Sequence, residues 1–112
     1  MNENKFDFEK LKNVLLSLGV PVYHDEALKV KPPYIRWSQS AVIRAYADNK
    51  TAHKGWRVAV DYFTLKEYDE LPEELEKKLE GADFTITDTV RDYEEETGYV
   101  HYAYTIEVLD CG

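Results

Sequence analysis

Eleven residues, Trp-Arg-Val-Ala-Val-Asp-Tyr-Phe-Thr-Leu-Lys at 56–66, constrain this chain more than any other stretch. In an extended conformation Trp56, Val58, Val60 and Tyr62 fall on one side, and Ala59, Phe63 and Leu65 on the other. Apolar residues on both sides of one strand require cover on both sides, so 56–66 is expected to run through the centre of a sheet. At 112 residues there is room for one core, and 1–112 reads as a single domain.

The rest of the chain supplies the cover. Phe8, Leu11, Leu15 and Leu18, with Val14, repeat at helical spacing over 5–18. Asn4 with Asp7 three residues on has the form of a capping box, and Gly19 before Val20-Pro21 is a stop signal. Residues 20–23 fit a short strand, and Pro32-Pro33 fixes an extended lead into a strand over 34–40. Ser38-Gln39-Ser40 interrupts that strand, so a bulge or exposed segment is expected before it resumes over 41–46. A second helix opens at Pro72, with Glu73 and Glu74 in its first turn, Leu71, Leu75 and Leu79 on one stripe, and Gly81 at its end. Residues 84–93 and 99–109 form a hairpin, whose second arm alternates Val100, Tyr102, Tyr104, Ile106 and Val108 against His101, Thr105 and Glu107. The order α-β-β-β-α-β-β, with two helices on one face of a mostly antiparallel sheet, is the economical α+β arrangement.

Charge is split along the chain. Residues 1–66 hold 11 Lys/Arg against 7 Asp/Glu, whereas 67–112 hold 3 against 15. Such a split gives one molecule a mildly basic and an acidic surface. A net charge of −8 argues against tight sequence-independent nucleic-acid binding, which needs a basic footprint to displace counterions. The single Cys111 cannot close an internal disulfide, and a cytosolic setting is the default expectation. No apolar run approaches a membrane span, and MNENKFDFEK has no apolar signal core. The Asn49-Lys50-Thr51 acceptor triplet is therefore expected to stay unmodified.

Chemistry-bearing patterns are thin. His24-Asp25-Glu26 is a run of neighbours on an irregular segment, without the i, i+3 or i, i+4 spacing that converges on an ion, and no metal or cofactor is expected. Asp61 interrupts the central strand, where Arg36, Arg44 or Arg57 can serve as its cross-strand partner. The five glycines fall in no phosphate-binding spacing, and no nucleophile elbow is present. No enzymatic activity is expected from these patterns. A ligand-binding or enzymatic site using Asp61 with a histidine, and an accessory protein-interaction domain of a mobile element, stay open as alternatives.

Pro32-Pro33-Tyr34-Ile35, Tyr46-Ala47-Asp48-Asn49-Lys50 and Trp56 to Thr64 follow one another in a particular succession. With the Phe-x-x-Leu helix ending in Leu-Gly-Val-Pro, the leucine-spaced acidic helix and the Tyr-rich last strand, this succession resembles a group of phage proteins. They are the tail completion, or head–tail joining, proteins of tailed bacteriophages and prophages of Gram-positive bacteria. The resemblance covers nearly the whole chain and carries no catalytic motif. It implies a structural protein that forms a ring, hexameric in the virion, capping the tail tube and joining it to the head connector. Its implied partners are further copies of itself and connector or tail-tube proteins, and its location is the bacterial cytoplasm before assembly and the virion after it. Tail completion and tail termination use similar small domains, and the resemblance extends to both. Asp48, Asn49, Lys50 and Lys54 sit in a stretch, 47–55, expected to be a polar hairpin loop and a subunit contact.

Overall fold

The computed structural model describes residues 8–47 and 50–110, with side chains described for 8–44 and 54–108. In chain order the elements are α1 (Phe8–Leu16), β1 (Val22–His24), β2 (Tyr34–Ala47), β3 (Lys50–Thr64), α2 (Leu71–Gly81), β4 (Thr85–Glu94) and β5 (Tyr99–Asp110). The strands form one sheet in the order β1-β2-β3-β5-β4, parallel between β1 and β2 and antiparallel elsewhere. This is the expected α+β fold and element order. Residues 5–7 of the first helix, with Asn4 and Asp7 of its capping box, lie outside the described residues.

β3 holds the centre, flanked by β2 and β5. Its residues Val58, Val60 and Tyr62 meet Ile35 and Trp37 of β2, Tyr104 and Ile106 of β5, and the helix leucines 11, 15, 75 and 79 in one core. Both helices thus bury their leucine stripes on the same face of the sheet. Leu11, Leu15, Leu75 and Leu79 are fully buried, each contributing about 1.5–3 kcal/mol by removal from water. At the top of α2 the Asp69 carboxylate accepts the Leu71 N–H at 3.0 Å and the Tyr62 hydroxyl at 2.6 Å. Asp69 therefore ties the helix start to the central strand.

Several boundaries differ from the expectation: α1 ends at Leu16 and not at 18, β1 runs over Val22–His24 and not 20–23, and both ends of the central strand move. The central strand stops at Thr64, and Leu65 is exposed beyond it. At its other end β3 runs back through Lys50, so 50–55 is strand and not hairpin loop. Paired backbone hydrogen bonds hold this stretch extended without an apolar alternation to announce it. The bulge expected near Ser38-Gln39-Ser40 is present, as a register shift between Gln39 and Ala41.

Candidate functional site

The long β2–β3 hairpin gives the molecule its shape. Fifteen residues of β3 at about 3.3 Å each span roughly 50 Å, and the molecule measures 50 × 25 × 24 Å. The half of the hairpin near Thr64 is the root, packed under the helices. The half near Lys50 is an arm that runs past them. β5 accompanies β3 along the arm until Asp110 opposite Lys54. Beyond Lys54 the described arm is two-stranded, with Ala47 opposite Lys50.

Cover fails along the arm in a definite way. β1 pairs with β2 at Ile35, Arg36 and Trp37 only. Asp25 then takes a left-handed φ of 64°, a conformation that ends an extended segment. From Ser38 onward the outer edge of β2 has no strand beside it among the described residues. On the helix side Val42, opposite Trp56, is 41% exposed. On the other side Ile43 lies opposite Gly55, which offers it no side chain.

Of the four residues expected to make a subunit contact, Asp48 and Asn49 lie outside the described residues. Lys50 opens β3 at the end of the arm. Lys54 is also on β3, between Arg44 and Asp110 in register, with its ammonium 5.5 Å from the centre of the Trp56 ring. Both lysines belong to a strand, and this corrects the loop expected over 47–55. The basic residues therefore sit at fixed positions along the arm.

A second arrangement lies on the open face of the root, opposite the helices. Asp61 is only 8% exposed, and both its oxygens are engaged. Oδ2 accepts from the Arg36 guanidinium at 3.3 Å, and Oδ1 accepts from Nε2 of His101 at 2.8 Å. Arg36 is thus the arginine partner selected from the three expected, while Arg57 faces Glu107 at 3.6 Å. Around this ion set runs a row of rings across four strands. Tyr23 meets Tyr34 edge-on at 6.0 Å, Tyr34 stacks on Phe63 at 4.7 Å, and Phe63 stacks on His101 at 4.3 Å. The rings close over the carboxylate from the side and keep water away, which strengthens both charge-assisted hydrogen bonds. A carboxylate held this way locks three strands together, β2 through Arg36, β3 through Asp61 and β5 through His101. The His101 link escapes sequence reasoning, because 40 residues separate it from Asp61 and only the β3–β5 pairing joins them.

His24 does not gather its neighbours into a site. Its ring stacks on Trp37 at 3.9 Å, and its Nε2 lies 3.6 Å from Asp25. Among the described residues no group of three His, Cys, Asp or Glu side chains is placed to hold a metal ion, and no helix is long and apolar enough to cross a membrane. A scan against protein-family models finds no match to this chain, and neither does a search of curated proteins.

Proposed function

We propose that the chain is a non-enzymatic structural protein of a siphophage or prophage. In this reading it caps the tail and joins it to the head by assembling into a ring, hexameric on the tail end. Its partners are further copies of itself and the connector or tail-tube proteins on either side. It is made in the bacterial cytoplasm and ends in the virion.

The observation that carries this reading is the placing of charge along the long axis. Lys50 and Lys54 lie at or near the end of the arm, while Glu94, Glu95 and Glu96 lead into the β4–β5 turn at the other end of the sheet, beside Thr64. A ring closes when one surface of each copy meets a different surface of the next, and opposite charges on the two surfaces steer that meeting. The succession of motifs from Pro32 to Thr64 supports the same reading.

The test is assembly of the purified protein on tails that lack it, viewed by electron microscopy over a range of salt. Wild-type protein is expected to give tail ends bearing rings and competent to join heads. Reversing both lysines, Lys50→Glu with Lys54→Glu, is expected to weaken assembly most at low salt, where charge is least screened. Unchanged assembly by the double variant would remove the arm from the contact. Tails that join heads equally well without the protein would remove the reading itself.

A further inference from the structure

The two edges of the sheet are finished differently. β4 is guarded by Asp88, Arg91, Asp92 and Glu94, and by a register shift between Ile86 and Asp88. Charges and bulges of this kind deter pairing with another chain. The outer edge of β2 reads Ser-Gln-Ser-Ala-Val-Ile-Arg-Ala-Tyr-Ala over 38–47, with Arg44 its one charge. A long edge with apolar residues on both faces is a template for a further strand.

We infer that this edge pairs with the same edge of a second copy, antiparallel, about a two-fold axis at Ile43. The irregularities in β2–β3 pairing fall at Gln39/Ala41 and Ala45/Tyr46, so the regular stretch 41–45 is centred on Ile43. The alternation of hydrogen bonds agrees. The Ile35 N–H and the Trp37 carbonyl point outward to 21 and 25. Counting through the bulge, Val42 and Arg44 also point outward. A two-fold at Ile43 then sets Val42 against Arg44 in two pairs that exchange backbone hydrogen bonds.

Ile43 meets its own copy across the axis, in the non-hydrogen-bonded position where side chains come closest. This gives it the neighbour that Gly55 does not supply. Ala41 meets Ala45, and no like charges are opposed. Pairing with the β4 edge would instead bring Ile43 onto the face that carries Asp88 and Asp92. The two-fold also directs each arm toward the other copy's β1 end. There the exposed Asp25 and Glu26 receive the end at which Lys50 lies. This two-fold contact does not rest on the tail-joining reading. A ring would use a different contact, so pair and ring compete for the arm.

The test uses the full chain with Cys111→Ser to remove the native thiol. Sedimentation over rising concentration is expected to show a mass twice 13.1 kDa. Ile43→Lys, which sets two ammonium groups face to face at a half-buried position, is expected to raise the dissociation midpoint at least about tenfold. Its circular dichroism should stay unchanged. Ile43→Cys alone is expected to cross-link into dimers on oxidation. Ala41→Cys alone is not, but a mixture of Ala41→Cys with Ala45→Cys is. Three results would overturn the inference: a monomer at every concentration, as when residues 1–7 of the same chain cover the edge; an Ile43→Cys thiol that joins Val90→Cys in preference to itself; or dimers indifferent to Ile43→Lys.

Discussion

Root and arm of the β2–β3 hairpin are one continuous ribbon built under two different rules. At the root each strand has neighbours on both sides, helices on one face and a ring-covered ion set on the other. On the arm the strands run past the helices, one edge has no strand beside it among the described residues, and backbone hydrogen bonds do the holding. The difference shows that strand formation and core formation are separable. A ribbon anchored firmly at one end can continue as sheet well beyond the core that stabilises it.

The largest test of that contrast is a matched truncation, read by urea unfolding at a concentration where the protein is monomeric. Leu75→Ala empties a fully buried position and is expected to cost about 2–5 kcal/mol. Ile43→Ala on the arm is expected to cost less than about 1 kcal/mol, because its surroundings are already open. Equal costs would erase the distinction between the two halves.

Next in size is the open face of the root. Asp61→Ala leaves Arg36 and His101, whose side chains are 38% and 23% exposed, without their common acceptor. Partial access to water softens the loss to about 1–3 kcal/mol. A change within about 0.5 kcal/mol would mean that the ion set is ornament on a sheet held by packing alone.

The smallest effect concerns the tie between β3 and α2, and it depends on pH. Burial pulls the Asp69 pKa upward. Hydrogen bonds from Tyr62, the Leu71 N–H and Thr64, with Lys66 nearby, outweigh that and hold it below the ordinary aspartate value. Burial, and next the hydrogen bond to Asp69, push the Tyr62 phenol upward. A carboxylate with a lowered folded pKa stabilises fully above the unfolded value, about 3.9, and loses that contribution as pH falls through the folded value. Tyr62→Phe is expected to cost about 1–2 kcal/mol at neutral pH, with the gap from wild type flat above about pH 5 and narrowing below pH 4. A gap that stays constant into acid would show that Tyr62 acts through packing and not through Asp69.

Much of the root was legible in the sequence, because burial writes a period. The leucine stripes of α1 and α2, and the double-sided strand at 58–63, can be satisfied only by a helix-covered sheet. The arm wrote no such period. His53, Lys54 and Gly55 look like loop residues, since they carry no apolar alternation and their pairing partners, Ala45, Arg44 and Ile43, lie on the other strand of the hairpin. The parallel contact of β1 with β2 was invisible for a related reason. Three residues carry too little pattern, and their partners stand 13 positions on, at Ile35, Arg36 and Trp37. Arg36 as a partner of Asp61 was within reach of strand arithmetic, whereas His101 needed the knowledge that β5 inserts between β3 and β4.

Glu94 to Glu96 at one end of a 50 Å axis and Lys50 with Lys54 toward the other give the molecule an electric dipole along its length. Such a molecule does not meet a charged surface at random: its axis turns before it touches, arm first toward negative surfaces and turn first toward positive ones. Ionic strength would therefore change the angle of approach as well as its rate. Oriented adsorption on cationic and anionic supports would display the two ends of the chain separately.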